Sequence, residues 1–382
     1  MQKKVLIVDD SALMRRVLSD IINLDSRFQV CKLATNGLEA FQLLAQEREV
    51  YDAIILDINM PKMNGLELLE ELEKHNVKAN IIIVSTVAKE GTKETIRALE
   101  LGAFDFVTKP DSFFEVKSDN FKNKIIDCLV MATKLYEAPA KEMFLQDVAG
   151  YRKNRTMSTE QTLHRPEIIS LQPDMRPVHT SEFKPAFKRG GKKLVAIACS
   201  TGGPKALQQV IPKLTQSLGC SVLIVQHMPE GFTASLANRL NEMSKLEVKE
   251  ANDREVIKSG TAYIAKGGSQ MRLVQTENGQ QLSVTLESAR NGLKPCADIL
   301  FESLMHSDFS EITCVVLTGM GGDGTYGIKQ LKEKKNIYVI AQDEATSTVY
   351  GMPKVVAEAG LVNEILPLDQ IAGAILKNLG VQ

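Results

Sequence analysis

Short runs of Val, Ile and Leu alternate with helix-period segments along most of the chain. VLIV, AIIL, NIIIVS and FDFVT fall in the first third, separated by stretches such as SALMRRVLSDIIN and GLELLEELEKH whose apolar residues recur every three or four positions. That rhythm predicts βαβ units about a parallel sheet buried on both faces. It stops at Glu137. From there to Lys192 the chain holds five of its 13 prolines, ten Lys/Arg and seven Asp/Glu with few sustained apolar runs, the composition of a linker. The rhythm resumes with KLVAIAC, SVLIVQ, TCVVLTG and IYVIAQ. Between the second and third of these, TAYIAKGG, MRLVQTENGQ and QLSVTLES carry NG and GG turn signals that predict hairpins on a smaller antiparallel appendage. The expected division is a first α/β domain over 1–130, a linker over 131–192 and a second α/β domain over 193–382.

Composition narrows the function classes. With 46 basic and 47 acidic residues the formal net charge is -1, so no global field draws the chain to nucleic acid or an anionic membrane, and no helix-turn-helix or basic face follows the linker. The apolar stretch Val5 to Val8 is cut short by Asp9 and Asp10, unlike a signal peptide, and no apolar run has the length of a membrane span. Six cysteines without a CxxC pair suit free thiols in a reducing compartment, so the cytoplasm is the expected location.

The first domain gathers acids at one edge. In an open parallel sheet the carboxyl ends of the strands converge, and here VLIV ends in Asp9 and Asp10 while AIIL ends in Asp57. Clustered carboxylates repel unless a hard cation sits among them, and Mg²⁺ is the natural occupant. NIIIV ends in Ser85 and Thr86, and FDFVT runs into Lys109. A cation, a lysine and a hydroxyl around one carboxylate are what an aspartyl phosphate needs. Helix capping is the plainer reading of any one of these aspartates.

The second domain offers a hydroxyl, an imidazole and a carboxylate at three strand ends. KLVAIAC runs into Ser200 and TGGP, placing a serine beside helix N-terminal amides able to stabilise an oxyanion; a phosphate-binding turn is the competing reading. SVLIVQ ends in His227. The other four histidines lie in the first domain (His75), the linker (His164, His179) and at the expected end of an amphipathic helix (His306), which leaves His227 as the attractive base. TCVVLTG leads into MGGDG, with Asp323 in a glycine-rich loop. Gly319, Gly321 and Gly324 also spell GxGxxG, with Asp343 at the spacing of a ribose-binding acid, so a nucleotide-binding oxidoreductase is a second reading. Against it, the motif comes late in the domain, and Asp323 stands where a pyrophosphate would sit. Ser200, His227 and Asp323 together have the composition of a serine hydrolase triad, in an order unlike the familiar ones.

Two resemblances sharpen these readings. VDDS at 8–11, LDINMPKMNG at 56–65, Ser85, Phe106 and TKP at 108–110 resemble a response-regulator receiver domain. The resemblance implies that Asp57 accepts phosphate from a histidine kinase, that Asp9, Asp10, Asp57 and the Asn59 carbonyl serve Mg²⁺, and that Ser85, Phe106 and Lys109 form the switch. STGGP at 200–204, QHMPEGFT at 226–233, AYIAKGG at 262–268, LTGMGGDG at 317–324 and AQDEATSTVYGMP at 341–353 resemble the catalytic domain of the chemotaxis protein-glutamate methylesterase family. By that likeness Ser200, His227 and Asp323 are the triad, and Thr201 and the backbone around Met320 lie near the oxyanion. The resemblance implies a glutamyl methyl ester on chemoreceptor helices as substrate, receptor glutamines as deamidation targets, and an esterase that needs no cofactor. Two departures stand out: the family's Gly-Ala before the nucleophile is Ala198-Cys199, and its Arg-Pro-Ser-Val-Asp is Lys294-Pro295-Cys296-Ala297-Asp298, a change expected to touch substrate contacts. The implied fold class is two doubly wound parallel-sheet α/β domains, flavodoxin-like then Rossmann-like with a small hairpin appendage. A non-catalytic receptor-docking regulator is the alternative function.

Overall fold

The computed structural model describes residues 2–46, 50–110, 119–135 and 191–381. Most of the expected 131–192 linker therefore lies outside the described residues.

The first α/β unit is a five-stranded parallel sheet in the order β2-β1-β3-β4-β5, made by Lys3–Val8 (β1), Phe28–Ala34 (β2), Ala53–Asp57 (β3), Ile81–Ser85 (β4) and Asp105–Thr108 (β5). Central strands β3 and β4 are buried at every position, which is why AIILD and IIIVS read as unbroken apolar runs. Helices Ala12–Asn23 (α1), Gly37–Phe41 (α2), Gly65–Lys74 (α3), Lys89–Glu100 (α4) and Asp119–Ala132 (α5) connect and cover the sheet. Asn64 caps α3 with a full capping box, its side chain accepting from the Glu67 N–H while the Glu67 carboxylate accepts from the Asn64 N–H.

The second α/β unit is a seven-stranded sheet in the order β14-β13-β12-β6-β7-β9-β8, parallel throughout. Its strands are Lys193–Cys199 (β6), Ser221–Gln226 (β7), Glu247–Glu250 (β8), Thr261–Ile264 (β9), Glu311–Val316 (β12), Asn336–Gln342 (β13) and Glu364–Leu366 (β14). From β6 the chain moves one way to β7, and from β12 the other way to β13. The crevice between the β6 and β12 tips is therefore the topological switch point, where open α/β sheets place ligands. Helices Gly203–Val210 (α6), Phe232–Met243 (α7), Ala297–Ser303 (α8), Thr325–Lys332 (α9), Met352–Glu358 (α10) and Leu368–Leu379 (α11) complete this unit.

The antiparallel appendage is present but smaller than expected. Gln270–Thr276 (β10) and Gly279–Thr285 (β11) pair as a hairpin around Glu277 and Asn278. TAYI, expected in that appendage, is instead β9, a buried parallel strand of the main sheet between β7 and β8. Four residues followed by GG look like a hairpin arm in sequence, but complete burial of Thr261 to Ile264 against β7 decides the pairing.

Candidate active site and receiver pocket

At the switch point, Cys199 of β6 pairs with Gln226 of β7, and the His227 N–H donates to the Cys199 carbonyl at 3.1 Å. Ser200 and His227 are therefore the next residues out on adjacent strands. The Ser200 N–H is held by the Thr318 carbonyl at 3.0 Å beyond β12. Room for this turn is made by glycines. Gly202 adopts φ 77°, and a Cβ on Gly319 would lie 2.7 Å from the Ser200 Cβ. Pro204 stands in the first turn of α6, as its fixed φ allows.

The His227 Nε2 and Asp323 Oδ2 are 2.7 Å apart, so two of the three expected triad members meet directly. The Ser200 hydroxyl makes no hydrogen bond among the described residues. With Nε2 engaged by the carboxylate, Nδ1 is the ring nitrogen left for a serine proton. The other oxygen contacts of Asp323 explain why it is ionised: backbone N–H groups of Ala297 (2.6 Å), Asp298 (3.0 Å) and Gly324 (2.9 Å) and the Cys296 thiol (3.1 Å) all donate to it. Burial works against the charge, yet the His227 contact and these amides hold the Asp323 carboxyl below its usual range. Neighbouring Asp298 goes the other way. Burial and the adjacent Asp323 charge push it up to about 7, although the Gly327 N–H donates to it at 2.7 Å.

This geometry adds to one expectation and speaks against one alternative. The Lys294-to-Asp298 departure bears on Asp323 as well, because the Cys296 thiol and the next two amides donate to its carboxylate. The amides that a pyrophosphate would need in the Gly319–Gly324 loop include that of Gly324, already given to Asp323. Thr201 is buried and Met320 is exposed, and the N–H groups of both lack an acceptor among the described residues. They are free to serve an oxyanion.

In the first unit Asp9, Asp10, Asp57 and Lys109 come together at the strand ends. Asp9 and Asp57 are buried, Asp10 is exposed, and one oxygen from each lies within 4.8 Å of the others. The Lys109 Nζ sits 2.8 Å from Asp57 Oδ2 and 3.1 Å from Asp9 Oδ2. Burial, the largest influence, and the neighbouring Asp9 charge raise the Asp57 pKa against the pull of Lys109. Three carboxylates so close form a hard-oxygen donor set that fits Mg²⁺. The Asn59 side-chain amide donates to Glu94 on α4 at 3.2 Å. The Ser85 hydroxyl donates to the Gly91 carbonyl in α4 at 3.3 Å.

The two units meet beside the nucleophile. The Thr201 hydroxyl donates to Asp105 Oδ2 at 2.5 Å, and burial raises the Asp105 pKa. Phe106 packs on Phe232 with ring centroids 4.5 Å apart. Glu100 on α4 accepts from Arg239 Nε at 2.6 Å and from Gln208 at 3.0 Å, and the Thr92 and Ser235 hydroxyls are 2.7 Å apart. Val349, from the loop after β13, is buried in the same apolar cluster as the receiver core. Sequence reasoning missed these contacts, since neither half alone marks Asp105, Glu100 or Arg239.

Comparison with known proteins agrees with both halves. Residues 5–118 match the response regulator receiver domain and residues 195–375 match the CheB methylesterase family. Protein-glutamate methylesterase/protein-glutamine glutaminase 1 of Syntrophomonas wolfei is 37% identical over 99% of both chains. The protein of that name from Bacillus subtilis is 39% identical over 97% of both. The crystal structure of the Thermotoga maritima CheB methylesterase catalytic domain is 38% identical with a TM-score of 0.47, covering 49% of this chain and 98% of that one. On the strength of the full-length relatives, the chain belongs to the protein-glutamate methylesterase/protein-glutamine glutaminase family.

Proposed function

We propose that this protein removes methyl groups from glutamyl esters on chemoreceptor helices, and deamidates receptor glutamines, under control of phosphorylation at Asp57. We read residues 1–130 as the receiver, 131–192 as the linker and 193–382 as the esterase. The observation that carries the chemistry is the 2.7 Å contact between His227 and Asp323 beside Ser200 at the switch point.

Ser200 Oγ attacks the ester carbonyl while His227 Nδ1 takes its proton, and Asp323 steadies the imidazolium through Nε2. The N–H groups of Thr201 and Met320 receive the oxyanion. Methanol leaves with the proton returned by His227. Water then attacks the acyl-serine by the same route and releases glutamate. A glutamine amide follows the same path with ammonia as the leaving group.

In the receiver, a histidine kinase is the expected phosphodonor and Asp57 the acceptor. Mg²⁺ held by Asp9, Asp10, Asp57 and the Asn59 carbonyl would neutralise phosphoryl charge. Lys109 pairs with the phosphoryl group. A Ser85 hydroxyl drawn toward that group leaves the Gly91 carbonyl, and Gly91 lies in the helix whose Thr92 and Glu100 grip the esterase. Phe106, stacked on Phe232, reports the same change. Loss of this grip opens the approach to Ser200. Both partners and the free thiols suit a cytoplasmic location, and no helix among the described residues is long and apolar enough to cross a membrane.

Mass spectrometry of a methyl-esterified receptor fragment, before and after incubation with the phosphorylated protein, tests this reading. Glutamate should replace methyl glutamate; an unchanged ester population would refute it.

A further inference from the structure

Two strands of the main sheet end in buried glutamines, Gln226 on β7 beside the nucleophile's strand and Gln342 on β13, two strands away on the other side. Gln226 Nε2 donates to the Ser200 carbonyl at 3.0 Å and to the His227 carbonyl at 3.2 Å, while its Oε1 accepts from the Cys199 thiol at 3.0 Å. These carbonyls lie just beyond the last rung of the β6–β7 ladder, where the strands part and backbone pairing stops. One primary amide supplies both donors from a single rigid plane. Gly203 makes room for it, because a Cβ there would collide with Gln226 Oε1.

On the opposite side, the Gln342 Oε1 accepts from the Thr318 N–H at 2.8 Å, and its Nε2 donates to the Thr346 carbonyl at 2.8 Å. Thr318 in turn holds the Ser200 N–H with its carbonyl at 3.0 Å and donates its hydroxyl to the Thr201 carbonyl at 2.9 Å. The nucleophile's backbone is thus gripped directly by Gln226 and, one residue removed, by Gln342.

We propose that Gln226 is a positioning residue for the hydrolysis, fixing Ser200 and His227 relative to each other, with Gln342 a weaker counterpart acting through Thr318. The proposal rests on Ser200 being the nucleophile. Neither glutamine touches substrate. Their effect is on the geometry of the serine and the imidazole, where a looseness of about 1 Å costs about 10²-fold in rate.

The test uses the full-length protein carrying Gln226→Leu, Gln226→Glu or Gln342→Leu. Three readouts are compared with the parent chain: kcat and KM for methanol release from a methyl-esterified receptor fragment, the rate at which a fluorophosphonate labels Ser200, and the melting temperature. Gln226→Leu should lower kcat and the labelling rate by about 10- to 10²-fold with KM little changed, and Gln342→Leu should do so by less. Gln226→Glu should be as slow at alkaline pH, where a carboxylate faces two carbonyls. It should regain labelling, relative to the parent at the same pH, as the pH falls and its buried carboxyl gains a proton to donate. If Gln226→Leu fails to fold, that pH-dependent recovery decides the matter. Parent-like kcat and labelling in a folded Gln226→Leu, or a Gln226→Glu whose ratio to the parent is flat with pH, overturns the proposal. Absence of methanol release by the parent would instead strike the proposed substrate, while the labelling rates would still judge the brace.

Discussion

Asp57 and Asp323 are both buried carboxylates near the carboxyl edge of a parallel sheet, yet their environments push them in opposite directions. Asp57 has one cationic neighbour in Lys109, a second carboxylate in Asp9 and one backbone donor, the Ile58 N–H at 2.8 Å, and burial wins. Asp323 receives three backbone N–H groups, a thiol and an imidazole, and its charge is held. The difference suits their proposed tasks. A carboxylate that must accept a phosphoryl group needs oxygens open to new partners, whereas one that must orient an imidazole through a whole reaction needs every oxygen already occupied.

The comparison can be tested by removing each side in turn. Ser200→Ala should lower methanol release by about 10⁴- to 10⁶-fold, the loss expected for a triad nucleophile. Near-normal turnover would take the serine out of the mechanism. Asp323→Asn should cost up to about 10⁴-fold in kcat, since an amide at that place loses the charge that steadies the imidazolium. A drop confined to KM would mean that Asp323 only shapes the pocket. On the receiver side, the fragment beginning at Lys192 should exceed the unphosphorylated full chain in rate by about 5- to 150-fold, the range of ordinary coupling free energies. Equal rates in the methanol assay would argue that the docked receiver leaves Ser200 accessible.

The smallest effect concerns Asp298. A folded pKa raised to about 7 means that its neutral form favours the native state, a contribution fully present below the unfolded carboxyl pKa and lost as pH rises through 7. Asp298→Asn should therefore have a melting temperature near the parent's at about pH 4, close to the unfolded carboxyl pKa, and one above the parent's at pH 8, with the gain building up between the two. A parent-to-variant difference independent of pH would show that Asp298 and Asp323 do not share their charge as the geometry implies.

Much of this was legible in the sequence because parallel strands buried on both faces announce themselves as unbroken apolar runs. IIIVS and KLVAIAC could hardly be anything else. Chemistry at strand ends was legible for the same reason, since the run stops where Asp57, Ser200 or His227 begins. The charged edge strand EVKE and the three-residue β14 carried no such pattern, because edges need neither burial nor length. TAYI belongs to the main sheet and not to the appendage its turn signals predict, for a strand of four residues cannot name its neighbours. The donors around Asp323 were invisible because two are backbone groups of Ala297 and Asp298, brought by a chain segment about 25 residues away. Gln226 and Gln342 were in plain view, each closing a strand, but a buried amide leaves no periodic signal.

Among the six cysteines, only Cys31 is exposed. Burial pushes up the thiols of Cys128, Cys199, Cys220, Cys296 and Cys314, so they should resist alkylation, Cys199 and Cys296 beside Ser200 and Asp323 included. Cys31 lies on β2, the edge of the receiver sheet opposite β5, whose Asp105 and Phe106 touch the esterase. The native chain thus comes with a single addressable point for a fluorophore, placed where a dye can follow the receiver's departure without standing in its way.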